Sequence, residues 1–149
     1  MTMETKIATS IDQSKKLMGL GLDVGTADMY WDTSDTGGRS FILHVGKSIA
    51  ITRNLFSFRA GLVFPAWSLS SLMNLMPSDF ITEGKFGQFT YKVDIRKYKI
   101  AADGDVYQIA YGNYSVSGTW SDMINTPECD DLIDAAFEMV CYLLTNKLI

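Results

Sequence analysis

The chain is poor in the residues that most often carry chemistry. It has one histidine, His44, and two cysteines, Cys129 and Cys141, among 149 residues. A multi-histidine metal site within one chain is therefore excluded, and neither cysteine belongs to a C-x-x-C pair. No metal site is expected. Basic residues number 13 against 17 acidic ones, a formal net charge of −4. That balance opposes a general role in gripping phosphate backbones, which needs a positive field. Long apolar runs are also missing. The longest uncharged stretch, 60–78, is interrupted by Pro65, Asn74, Pro77 and several serines, so no membrane span is expected. The first twenty residues carry Glu4, Lys6, Asp12, Lys15 and Lys16, which is unlike the apolar centre of a secretory signal. With unpaired thiols, these features lead us to expect a cytoplasmic protein.

What is present is enough apolar material to fold: 47% hydrophobic and 12% aromatic residues. A chain of this length without linkers or repeats is expected to form a single domain, residues 1–149. Ser10 and Gln13 have the spacing of a capping box and predict a helix over 11–20. Met29 to Trp31 and Phe41 to Val45, separated by a Gly37-Gly38 turn, predict a hairpin. The segment 48–64 alternates irregularly and suggests further extended chain. Leu69, Leu72, Met73 and Met76 share one helical face, and Pro77 ends that run.

Alternation from Phe89 to Ile95 predicts a half-buried strand, and Asp103-Gly104 predicts a two-residue hairpin turn. That turn would pair Tyr98 with Ile109 and force a bulge near Arg96 and Lys97. Thr126 as N-cap, Pro127 and the following acidic residues predict a long last helix over 127–146, containing both cysteines. The expected fold class is α+β: an antiparallel sheet of about four to six strands, two short helices, and one long C-terminal helix packed on the sheet.

Several fragments suggest chemistry. Gly46-Lys47-Ser48 has the ending of a phosphate-binding loop, but Phe41 stands where the earlier glycine is required. Asp23-Val24-Gly25-Thr26 resembles the phosphate-loop fragment of actin-like ATPases and sugar kinases, whose two large lobes this chain is too short to supply. Both fragments read as loops, and no cofactor is expected. His44 is the weak candidate for a catalytic acid or base. Asp130, Asp134 and Glu138 would form a stripe on the last helix, read as a solvated face that complements the helix dipole. Lys92, Arg96 and Lys97 interleave with aromatics like a platform for single-stranded nucleic acid, but alternation turns Lys92 and Arg96 away from Phe89 and Tyr91, which argues against it. Trp31, Trp67 and Trp120 adjoin loops or element ends and are candidate interface anchors.

Several stretches together resemble a family of small uncharacterised proteins encoded by phages and prophages of gut bacteria. They are Ile7-Ala8-Thr9-Ser10 with Gln13 to Leu17, Thr26 to Trp31, Pro65 to Leu69, and Ala136 to Met139 with Tyr142 to Leu144. The resemblance implies a mobile-element origin and no particular activity. The expected function is a non-enzymatic accessory protein that acts by protein–protein binding, with self-association as one form of it. The alternatives are a small hydrolase-like enzyme using His44 and a weak single-stranded nucleic-acid binder through 85–99.

Overall fold

A computed structural model describes residues 6–84, 87–99 and 104–149. The chain divides into two compact units, Met1–Met73 and Asn74–Ile149. The class is α+β with antiparallel strands throughout, as the sequence predicts. Where one sheet was expected there are two, one of three strands and one of four. No change of composition marks the junction, so the sequence pattern alone reads as continuous.

In the first unit, α1 (Ile11–Gly19) starts at the Ser10 capping box: the Ser10 hydroxyl accepts from the Gln13 N–H, and the Gln13 side chain accepts from the Ser10 N–H. The sheet has β1 (Met29–Asp32) in its centre, with β2 (Ile42–Val45) and β3 (Val63–Ala66) on either side. Residues 48–62 are not extended. They form two one-turn helices, α2 (Ile49–Thr52) and α3 (Phe56–Arg59), closed by their own turn bonds. Apolar residues there are too irregular in spacing to separate one turn of helix from a strand.

A buried hydroxyl network joins α1 to the sheet. Thr9 accepts from the Trp67 N–H at 3.0 Å through its hydroxyl, which also contacts Ser14 at 2.9 Å. The Thr9 carbonyl accepts from the Trp31 indole at 3.0 Å. Ala8, Met29 and Ala66 form the adjoining apolar core, with Trp31 and Leu43 against it. Unsatisfied polar groups are costly inside a protein, and here the buried threonine and both indoles are paired. The α4 helix (Leu69–Leu75) follows, close to the predicted span.

The second unit is a meander of β4 (Asp79–Gly84), β5 (Gly87–Lys99), β6 (Asp105–Tyr114) and β7 (Trp120–Asn125), followed by α5 (Leu132–Thr145) packed against β6. Two expectations fail here. The register pairs Tyr98 with Val106 and Ile95 with Ile109, leaving five residues between the last pair, Lys99 and Asp105. Asp103 of the predicted turn lies outside the described residues. With the longer connection, Val93, Ile95, Ile109 and Tyr111 share one face and β5 runs on through Arg96 and Lys97 without a bulge. The irregularity lies instead between β6 and β7 at Tyr111/Gly112, where Met123 is the extra residue.

The last helix starts at Leu132, not Pro127, because Asp131 caps it by accepting from the Ile133 N–H at 2.7 Å. Thr126 is taken by the sheet: its hydroxyl accepts from the Ile109 N–H and its N–H donates to the Ile109 carbonyl. Cys129 pairs with Tyr107 through both backbone groups. Cys129 therefore lies outside the helix that holds Cys141, and the two are not joined by a disulfide. Asp130 is likewise outside it, so the predicted acidic stripe shrinks to Asp134 and Glu138. Among the described residues no helix is long and apolar enough to cross a membrane.

Candidate functional site

The two fragments that read as isolated loops in the sequence meet in space. A cavity of about 220 Å³ in the first unit is lined by Asp23, Gly25, Lys47, Ser48 and Thr52 together with Val24, Ala27, Met29 and Ile51. Each side is fixed by a local cause. On one side, the Asp23 carboxylate accepts from the Gly25 N–H at 2.8 Å and closes a tight turn over 24–26. The Thr26 hydroxyl donates to the Asp23 carbonyl at 2.6 Å and accepts from the Trp67 indole at 3.0 Å, which ties that turn to the core. On the other side, Gly46 turns the chain out of β2 with φ +100, a conformation that favours glycine, and its N–H bonds the Asp28 carbonyl at 2.8 Å.

The Lys47 ammonium then donates to the Gly25 carbonyl at 2.8 Å. A carboxylate and an ammonium thus meet at one residue, Gly25, without forming an ion pair with each other. Ser48 precedes α2 but makes no capping bond, although the residue is only 8% exposed. Sequence reasoning missed this site because it tested each fragment against a complete motif, and the pairing of the two is a property of the fold.

Asp28, on the chain between the two fragments, is held by the residue that precedes α4: its carboxylate accepts from the Ser68 N–H at 2.9 Å and from the Ser68 hydroxyl. Burial pushes the Asp28 pKa up, but the bonds from Ser68 and Ser71 outweigh it and hold the group below its ordinary 3.8.

His44 lies on β2, stacked on Tyr30 with ring centroids 5.0 Å apart. Its Nε2 is 3.4 Å from Asp35 Oδ2, an ion-pair distance, yet this buried nitrogen has no hydrogen bond of acceptable geometry. We regard the contact as electrostatic proximity, since a hydrogen bond needs direction as well as distance. Trp67 is fully buried and offers no surface. Trp31 is half-buried with its indole bonded to Thr9. Trp120 is half-buried on β7, edge-on to Tyr114, and donates to Asp122 at 2.6 Å.

Lys92 is exposed on β5. Arg96 is clamped between Asp94, at 2.6 Å, and both oxygens of Asp122. The Arg96 bonds hold Asp122 down to about 2 and raise the guanidinium further. Lys97 reaches Asp105 at 3.4 Å and the Tyr107 ring at 5.7 Å, and strand alternation puts it on the face opposite Arg96. Two of the three cations proposed for nucleic acid therefore already have carboxylate partners.

Burial raises the Cys129 thiol, and Asp134, Glu138, Asp130 and Asp131 raise it further, which suppresses the thiolate that a nucleophile requires. Among the described residues, no three or more His, Cys, Asp or Glu side chains are grouped to hold a metal ion. Compared with family models, curated proteins and solved structures, the chain has no significant match in any of the three.

Proposed function

We propose that the chain is a non-enzymatic accessory protein of phage or mobile-element type, cytoplasmic, that acts by presenting a folded surface to a protein partner. The observation that carries this reading is the exposure of apolar side chains within residues 42–62. Val45 is 85% exposed and Phe56 71%, and Ile42, Ile49, Leu55 and Leu62 are exposed as well. Scattered apolar residues are ordinary on a protein surface, but six exposed in twenty-one residues, with Val45 and Phe56 the most exposed of them, is a local concentration that supports a contact surface there. Self-association through the same surface is one form of this reading.

The test compares wild type with Val45→Asp/Phe56→Asp in cross-linking and affinity capture from host lysate, with Ile81→Asp, on an exposed residue of the other unit, as control. A partner or dimer retained by the control and lost by the double variant is expected. Equal capture by all three proteins would sink the reading.

A second reading is a small hydrolase using His44, favoured by the 3.4 Å approach of Asp35 to its Nε2. A carboxylate close to a general base is a recurrent arrangement in hydrolysis, and here the contact is one of proximity without a hydrogen bond. A broad hydrolase screen on wild type and His44→Ala separates the two. Turnover abolished by His44→Ala would replace the binding protein with the enzyme.

A further inference from the structure

Ser48 supplies the starting point. A serine immediately before a helix ordinarily spends its hydroxyl on the first free N–H groups, and Ser48 does not. The residue is nine-tenths buried, lines the cavity, and its hydroxyl has no side-chain partner among the described residues. The hydroxyl opens to the cavity and makes no bond among the described residues, so a ligand seated there would find it free to donate and to accept.

The remaining polar groups narrow what that is. Lys47 uses one of its three N–H donors on the Gly25 carbonyl, and Asp23 uses one carboxylate oxygen on the Gly25 N–H. Both keep capacity for a ligand, and they carry opposite charges at one rim. Ala27, Met29 and Ile51 form a buried apolar part of the lining beside half-buried Val24, and Thr52, which is exposed, spends its hydroxyl on the Ser48 carbonyl. The volume is below the ~300–1,000 Å³ of sites for drug-sized molecules. At a packing density of about 0.74 it holds a molecule of roughly 160 Å³, the size of a metabolite with about ten non-hydrogen atoms.

We propose that this cavity binds a free α-amino acid with an apolar side chain. The carboxylate lies on the Lys47 ammonium and the Ser48 hydroxyl, the α-ammonium on Asp23, and the side chain against Ala27, Met29 and Ile51. One charge of either sign would leave its opposite number at the rim unmatched, so the zwitterion is preferred over a simple acid or amine. The site does not depend on the protein-binding reading, and none of its residues is altered in the variants that test that reading.

The experiment is titration of the full chain with L-methionine and L-leucine, followed by amide NMR and calorimetry. Two analogues of leucine run beside them: isocaproate, which lacks the ammonium, and isoamylamine, which lacks the carboxylate. Saturable binding in the micromolar to millimolar range is expected, with the Gly25 and Lys47 amides shifting first. Each analogue should bind at least about tenfold more weakly, as should Lys47→Met and Asp23→Asn, a loss of about 1.4 kcal/mol. Asn at residue 23 still accepts from the Gly25 N–H, so the turn survives, and the amide spectrum checks that each variant is folded. Ser48→Ala should weaken binding while leaving that spectrum otherwise intact. Absence of saturable binding by either amino acid overturns the proposal. So does equal affinity for the analogues, or unchanged affinity in folded Lys47→Met.

Discussion

Trp120 lies across Gly112 so closely that a methyl group at residue 112 would sit 2.9 Å from two ring carbons and 2.2 Å from the Ser121 carbonyl oxygen. The absent side chain lets β7 and its indole close over β6 beside the bulge at Met123. Gly112→Ala therefore forces backbone apart, not just the tip of a side chain. A loss of about 2 to 4 kcal/mol is expected, in the range of overpacked interiors or above it. Chemical denaturation followed by tryptophan fluorescence measures it, and an unchanged midpoint would show that the strands have room to spare.

Phe137 and Glu138 test the orientation of α5. Phe137 is 5% exposed, while Glu138 is partly exposed on the same helix. Phe137→Ala should cost roughly 3 to 5 kcal/mol, and Glu138→Ala well under that. Similar denaturation midpoints for the two variants would mean that the buried face has been assigned wrongly.

The elements legible in the sequence are those set by neighbours in the chain. The Ser10–Gln13 capping box, the β1–β2 hairpin and the α4 face all depend on residues within a few positions of each other, and all are found where the sequence puts them. What was not legible depends on partners distant in sequence. Thr126-Pro127 has good helix-start chemistry, yet the Ile109 N–H claims the threonine from seventeen residues away. The β5–β6 register turned on a connection length that Asp103-Gly104 did not determine. The cavity was readable only as two unrelated loop fragments, since nothing in 23–26 announces 46–48. Trp67, chosen as a surface anchor for its place near a loop, is instead the buried residue that fixes one wall of that cavity through Thr26.

Acid stability should report the Arg96–Asp122 contact. Asp122 is held to about 2 in the folded protein against an ordinary 3.8. A carboxylate whose folded pKa is depressed contributes stability that is fully present above its unfolded value and is lost as pH falls through the folded one. For Asp122 that window runs from about 4 down to about 2. The pair is partly exposed, so its contribution is screened and of the order of 1 kcal/mol or less. Asp28, also depressed, adds a loss of the same sign. Wild type should thus lose stability more steeply than Asp122→Asn in this window, the two curves differing least at its acid end. Parallel curves from neutral pH to about 2 would show that Arg96 does not perturb Asp122.

Thr126 decides between the two roles its neighbourhood offers. As a helix N-cap it would be replaceable by Ser, Asp or Asn with little loss, because each has an oxygen for the first turn. As the partner of β6 it is nearly fully buried, its hydroxyl 3.0 Å from the Ile109 N–H, its N–H 2.9 Å from the Ile109 carbonyl, and its own carbonyl 2.8 Å from the Gln108 amide. Thr126→Val keeps the shape and removes the acceptor, leaving a buried N–H unsatisfied at a cost of about 1 to 3 kcal/mol. Thr126→Ser keeps the acceptor and loses one methyl group, worth roughly 1 kcal/mol. Thr126→Asp places a charge in the same buried position and should be the worst of the three. The expected order of stability is therefore Ser above Val above Asp, with amide exchange at Ile109 accelerated in the valine variant and helix content unchanged. Asp matching wild type, together with a loss of helical circular dichroism in Val, would return Thr126 to the start of the helix.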